Sequence, residues 1–322
     1  MYSVYVTRKL PGQGLDRLRS LCNVTIFPED RNITKAELLG VIAQQDAVIT
    51  MLADPIDAEV IAAGEKLKVI ANYAVGFNNI DTAAASARGI AVVNTPDVLT
   101  DASADFAWAL LLATARRAIE GDSLVRRGGF VGWAPELLVG VEVHGKTLGI
   151  VGAGRIGQAV ARRALGFNMR TLYHNRSRLP DHVEKELNLT YADLGTLLKE
   201  ADFVSLHCPL TPETRHLIGA AELRLMKPTA VLINTARGPV VDEAALVQAL
   251  RERTIYGAGL DVYEAEPALH PGLAELSNVV LAPHIASAGM ETRLKMVDLV
   301  VNDVLAVLQG ERPRNLVNPQ IF

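Results

Sequence analysis

Cysteine is nearly missing from this chain of 322 residues: Cys22 and Cys208 are the only two, too few for a disulfide framework or a thiolate metal cluster. Seven histidines are scattered without metal-ligand spacing, so no metal is expected. Charge of one sign is scarce as well. The formal net charge of −4 argues against nucleic acid as the main partner. No long apolar run occurs; the strongest, Phe106 to Ala115, is too short to span a bilayer, which argues against a membrane protein. The N-terminus opens on a strand-like segment and lacks a secretory apolar region, which points to the cytoplasm. Sequence repeats and low-complexity segments are absent too. What remains is 49% hydrophobic, 21% charged and 5% aromatic, the composition of an ordinary α/β protein. The length suggests about two domains.

Short apolar runs alternate with helical patterns throughout, the pattern of βαβ units and parallel sheets. A first series comprises Ser3–Thr7, Val24–Phe27, Ala47–Met51, Val69–Tyr73 and Ala91–Val93. A second starts at Leu148 and continues with Met169–His174, Phe203–His207, Ala230–Asn234, Gly257–Val262 and Val279–Leu281. One amphipathic segment, Ala102 to Glu120, joins them, capped by Thr100 or Asp101 and ended by Gly121. A glycine-rich irregular stretch, Arg127 to Gly145, follows it and contains Trp133. Near the end, Thr292 to Leu308 reads as one helix with no strand after it, free to return to the first domain. The expected architecture is two doubly wound, Rossmann-like parallel-sheet domains. Residues 1–99 with 290–322 form one, and residues 100–289 the other.

The most informative stretch is Leu148 to Gly157, where a strand runs into a glycine-rich turn that opens a helix from Gln158 to Leu165. Gly152, Gly154 and Gly157 have the G-x-G-x-x-G spacing. The first allows a tight turn, the second lets a pyrophosphate approach the backbone, and the third lets helix and strand pack closely. N–H groups at the helix start then face the phosphates. An NAD site ends its second strand in an Asp or Glu that binds the ribose hydroxyls. Here no acid occurs between Gly152 and Asp181. The strand delivers His174, Asn175, Arg176, Ser177 and Arg178, whose guanidiniums suit a 2′-phosphate. NADP(H) is therefore favoured over NAD(H), a solvated basic loop being the alternative.

Open parallel sheets bind ligands beyond the carboxyl ends of their strands. Three candidates stand there in the second series: Arg237 after Asn234-Thr235-Ala236, Glu266 after Gly259-Leu260-Asp261-Val262, and His284 after Ala282-Pro283. Each alone has a structural reading: a loop arginine, a solvated acid, a core histidine. Together they suit reduction of a 2-oxo acid. His284 is the general acid that protonates the developing alkoxide. Glu266 orients the imidazole and raises its pKa, and Arg237 binds the substrate carboxylate and polarises the carbonyl.

These motifs resemble the D-isomer-specific 2-hydroxyacid dehydrogenases, most closely their glyoxylate/hydroxypyruvate reductase branch, over essentially the whole length. The likeness is carried by Gly76-Phe77-Asn78-Asn79-Ile80-Asp81, Pro96-Asp97-Val98-Leu99-Thr100-Asp101, the glycine-rich turn, Asn234 to Glu243, Gly259 to Pro267 and Pro283-His284-Ile285. The resemblance implies an active-site cleft between the domains and assigns Arg237, Glu266 and His284 as substrate arginine, orienting acid and proton donor. It implies that the backbone at Val75 and Gly76 is a second anchor for the substrate carboxylate. Gly154, Arg155, Ile156 and Gly157 then hold the pyrophosphate. Cys208, Pro209 and Thr214 lie over the adenosine, and Thr235, Ala236, Arg237, Asp261, His284 and Ala286 line the nicotinamide end. It further implies a homodimer built by the nucleotide domain, with Trp133 near the partner subunit; a Trp133 buried within its own chain is the other reading. The expected reactions are glyoxylate to glycolate and hydroxypyruvate to D-glycerate. A 2-ketogluconate reductase shares every motif, and a non-enzymatic NAD(P) sensor or corepressor-like module keeps the same fold. The run Ala286-Ser287-Ala288-Gly289 departs from the family's usual Gly-Ser-Ala-Thr, and Asn78-Asn79 lacks an acid common there.

Overall fold

The computed structural model describes every residue from Met1 to Phe322. The chain forms two units: Met1–Leu99 with Ala288–Phe322, and Thr100–Ser287. In the first, five parallel strands, β1 (Tyr2–Val6), β2 (Cys22–Ile26), β3 (Ala47–Thr50), β4 (Val69–Asn72) and β5 (Ala91–Val93), lie in the order β2-β1-β3-β4-β5. Strands β3, β4 and β5 are buried along their whole length, which explains their unbroken apolar runs. Three of the helices between the strands start on side-chain caps. Thr34 and Glu37 form a reciprocal capping box, and Asp57 and Asp81 accept first-turn N–H groups.

The chain returns to this unit through the helix Met290–Leu308, which packs on β4 and on the helix Gly14–Leu21. The tail then pairs with β5, the Val317 N–H donating to the Val92 carbonyl at 2.8 Å. Buried Asn318 accepts from the Val92 N–H at 2.8 Å and donates to the Ile90 carbonyl at 2.9 Å.

The second unit holds seven parallel strands: β6 (Thr147–Val151), β7 (Arg170–His174), β8 (Leu189–Tyr191), β9 (Phe203–Leu206), β10 (Val231–Asn234), β11 (Gly257–Leu260) and β12 (Val279–Leu281). Their order is β12-β11-β10-β9-β6-β7-β8, so the winding reverses between β6 and β9, the switch point where such sheets bind ligands. Alternate residues feed two cores. Val151, Val204, Leu232 and Leu260 serve one face, while Leu148, Ile150, Phe203 and Ile233 serve the other. Apolar packing thus covers both faces of this sheet, as parallel strands require.

Two local expectations change. The segment Ala102 to Glu120 is not one helix. It divides into Thr100–Ala115 and Ala118–Arg126, because Arg117 takes a left-handed φ of 52° and its guanidinium turns back to bind Glu120 at 2.7 Å. Gly121 therefore lies inside the second helix and does not end the first. Strand β8 has no counterpart in the sequence reading. It is three residues long, and two of them, Thr190 and Tyr191, are exposed, so it lacks the apolar run that marks its neighbours.

Candidate active site

Three consecutive strand ends of the second unit build the site. After β10 the chain turns through Asn234, which is buried and acts as a local template. Its amide donates to the Arg237 carbonyl at 3.0 Å, and its Oδ1 accepts the Ala236 N–H at 3.0 Å. The turn aims Arg237, whose Nη1 donates to the Ala236 carbonyl at 2.7 Å. Burial lowers the guanidinium pKa and the nearby Glu266 charge opposes that shift; at neutral pH the group stays cationic. Gly238 follows for a steric reason. A Cβ there would sit 1.9 Å from the carbonyl carbon of Tyr263, so only glycine lets the Arg237 turn lie against the loop that carries Glu266.

After β11, Asp261 is fully buried. Its two carboxylate oxygens accept the N–H groups of Ile285 and Ala286, each at 2.7 Å. Burial pushes the Asp261 carboxyl up, and those two N–H groups pull it down. It thereby fixes the turn after β12 in which His284 adopts a φ of 56°, a left-handed conformation that a non-glycine residue keeps only when its surroundings enforce it.

The imidazole Nδ1 of His284 lies 2.9 Å from Oε2 of Glu266, and Oε1 of Glu266 accepts the Tyr263 N–H at 3.0 Å. Tyr263 is anchored in turn by donating its hydroxyl to the Ala282 carbonyl at 2.8 Å. Burial pushes the Glu266 carboxyl up. The His284 hydrogen bond and charge, the Tyr263 N–H and the Arg237 charge outweigh it and leave the group below its ordinary value. An ionised Glu266 requires the proton on Nδ1 of His284. The other nitrogen, Nε2, takes no bond from the protein and is the atom left to exchange a proton with a ligand. Glu266 thus links the group: it is bonded to His284 and held down by the Arg237 charge.

The glycine-rich turn lies at the switch point. Gly152 has a φ of +96° and a Cβ there would meet the Cys208 nitrogen at 2.5 Å, while one at Gly157 would meet the Gly152 carbonyl at 2.3 Å. A Cβ at Gly154 meets nothing within 4 Å, so this residue is spared for an approach from outside. No side chain caps the helix Arg155–Ala164 that starts there, which leaves its first N–H groups, including that of Ile156, for an anion. At the far end the buried Thr235 hydroxyl has no partner within the protein. These features fit a pyrophosphate at one end and a polar ring substituent at the other, as a nicotinamide dinucleotide supplies. Cys208 is a buried free thiol whose pKa burial pushes up to about 11, so it lines the turn without reactivity. The Thr214 hydroxyl donates to the Pro209 carbonyl at 2.7 Å and closes the loop between them.

The loop after β7 requires a correction. Asn175 Oδ1 accepts the Ala153 N–H at 2.7 Å and ties this loop to the glycine turn, while His174 Nδ1 lies 3.1 Å from the Ala192 carbonyl. Arg178, expected to face a phosphate, is instead forked on Glu184 through bonds of 2.8 and 2.7 Å. The same carboxylate also accepts the Tyr173 hydroxyl at 2.5 Å and is held at about 2 by Arg178 and Tyr173. The pairing is local and bidentate, so it claims that guanidinium. Arg176 and Ser177 remain exposed at the tip.

In the first unit, the Val75 and Gly76 carbonyls accept from the Asn94 and Asn72 side-chain amides, both at 2.7 Å.

A family model, the NAD binding domain of D-isomer specific 2-hydroxyacid dehydrogenases, matches residues 108–286. The chain belongs to this family. It is accordingly an NAD(P)-dependent oxidoreductase. It is 52% identical to the glyoxylate reductase of Thermococcus gammatolerans over 99% of this chain and 96% of that protein. The glyoxylate reductase of Pyrococcus furiosus is 50% identical over the same shares. Among solved structures, a Thermus thermophilus protein superposes with a TM-score of 0.92 at 50% identity, covering 98% of this chain and 99% of that one. The NADPH-dependent glyoxylate/hydroxypyruvate reductase of Sinorhizobium meliloti, solved with NADP and malonate, gives 0.86 at 34% identity over 99% and 98%. The residues that sequence reasoning missed are supports: Asn234, Gly238 and Tyr263 within quoted motifs, and Glu184 and the bracing role of Asp261. Only Gly238, a glycine directly after a candidate arginine, carried a local signal.

Proposed function

We propose that this protein reduces glyoxylate and hydroxypyruvate with NADPH, giving glycolate and D-glycerate. The observation that carries the reading is the 2.9 Å bond from His284 Nδ1 to Glu266, which leaves Nε2 as the proton donor, with half-buried Arg237 acting on the same Glu266. Arg237 binds the substrate carboxylate with paired donors and polarises the carbonyl. A bound nicotinamide supplies the hydride that attacks the carbonyl carbon. His284 gives its Nε2 proton to the carbonyl oxygen as negative charge develops there, and Glu266 stabilises the imidazolium before that transfer and holds the ring plane afterwards. Within the first unit, the backbone N–H groups of Val75 and Gly76 are open to an anion, their carbonyls being engaged by the two asparagines. Arg176 and Ser177 receive the 2′-phosphate.

The arm after the helix Ala118–Arg126 exposes Phe130, Val131, Trp133, Leu137 and Val139, more apolar surface in one place than a monomer keeps. We assign it to a homodimer interface, which sedimentation tests directly. Two free cysteines agree with a reducing cytoplasmic location. The deciding experiment is an initial-rate panel of glyoxylate, hydroxypyruvate and pyruvate with NADPH and with NADH. Fastest oxidation of NADPH with the first two supports the assignment. No turnover of either rejects the activity, and a preference for NADH rejects the role of Arg176.

A further inference from the structure

Glu243 opens the helix Glu243–Arg251, whose cap is supplied by Asp242 through a 3.0 Å bond from the Ala245 N–H. A first-turn acid normally sits in solvent, where it favours the helix dipole at little desolvation cost. Glu243 is instead 3% exposed. Its Oε1 accepts the Glu264 N–H at 2.7 Å. Glu264 answers by accepting the Glu243 N–H on Oε2 at 3.1 Å, while its Oε1 lies 2.5 Å from Nε2 of His216. Glu264 and His270 bracket the segment that carries Glu266, and within it the Ala268 N–H closes on the Ala265 carbonyl at 2.9 Å. One buried carboxylate therefore holds the start of the loop Glu264 to His270, two residues before Glu266.

Burying a carboxylate is costly unless its lone pairs are filled. The helix start does not need this one, since Asp242 already caps it. The loop does: it is outside every strand and helix, and the Glu266–His284 bond weakens steeply with small displacements. We propose that Glu243 is the positioning residue for Glu266, bracing the start of the acid loop through the reciprocal Glu243–Glu264 bonds so that Glu266 meets Nδ1 of His284. The inference rests on Glu266 acting as the orienting acid.

The test compares Glu243→Ala, Glu243→Gln and Glu266→Gln with the parent enzyme. Glu243→Ala is expected to lower kcat with glyoxylate at least tenfold, to leave the NADPH Kd within twofold, and to speed amide hydrogen exchange across 264–270. Glu243→Gln, which keeps an acceptor oxygen, restores most of the rate. Adding Glu243→Ala to Glu266→Gln costs no further rate, because both act through one contact. A parental kcat in Glu243→Ala, or a multiplicative loss in the double variant, overturns the proposal. If Glu243→Ala does not fold, Glu243→Asp keeps the charge but is too short to reach the Glu264 N–H, and an unchanged kcat there overturns it equally. An unaffected Glu266→Gln defeats the orienting-acid reading itself and takes this inference with it.

Discussion

The two units solve the same problem, fixing loops at strand ends, and around the candidate site residues each leans on a different kind of side-chain hydrogen bond. In the first, side-chain amides donate to carbonyls: Asn72 to Gly76, Asn94 to Val75, and Asn79 to Met51 and Asp54. In the second, carboxylates accept N–H groups: Asp261 from Ile285 and Ala286, Glu266 from Tyr263, and Glu243 from Glu264. The consequences differ. Tying off carbonyls leaves backbone N–H groups as the polar face of a loop, a surface for anions. Consuming N–H groups leaves side chains to do the work and lets charged groups orient titratable ones. On the proposed reading, the first unit offers backbone N–H groups to an anion and the second offers a proton donor.

The largest effect should come from the proton-moving side. His284→Ala is expected to lower kcat about 10²- to 10⁴-fold with little change in NADPH affinity, measured by steady-state rates and fluorescence titration. An unchanged kcat would break the comparison at its centre. Next comes the rigid contact beneath Arg237. Gly238→Ala places a methyl group into the Tyr263 backbone and should depress kcat/KM about tenfold or more, since no flexible side chain is there to yield. On the anion side, Asn94→Ala removes one donor, worth about 1 kcal/mol. KM for glyoxylate should rise roughly fivefold at nearly constant kcat. A kcat loss without a KM change would place Asn94 with the proton-moving group instead.

Cofactor choice sharpens the picture within the second unit. Arg176→Ala should reduce the NADPH over NADH preference about tenfold, whereas Arg178→Met, which disturbs the Glu184 strut, should weaken both cofactors alike; competition binding separates the two. The smallest effect concerns pH. His207, bonded to the Ser205 hydroxyl at 2.8 Å, is pushed down to about 4 by burial. The unfolded chain then binds a proton that the folded chain refuses, so stability should fall as pH drops from about 6.5 toward 4. Thermal melts of His207→Gln should be flatter over that window, and parallel curves would contradict it.

Much of the fold was legible because buried parallel strands are continuous apolar runs and glycine spacing is a local property. Most of the strands follow such runs closely, from Ala47–Thr50 to Val279–Leu281; the largely exposed Leu189–Tyr191 does not. The break at Arg117 was hidden because a left-handed arginine has no composition of its own. Arg178 misled for a related reason. Two guanidiniums near a phosphate-binding turn look alike in sequence, and Glu184, the residue that claims one of them, lies on the next helix.

Chain order alone therefore determined the architecture, the dinucleotide turn and the identity of Arg237, Glu266 and His284, because each follows from a pattern within a few residues. Tertiary structure decided which nitrogen of His284 is left for chemistry, which arginine is spent on scaffolding, and which buried acids hold the loops. Those depend on distances between segments far apart in the chain, which only folding brings within hydrogen-bonding reach.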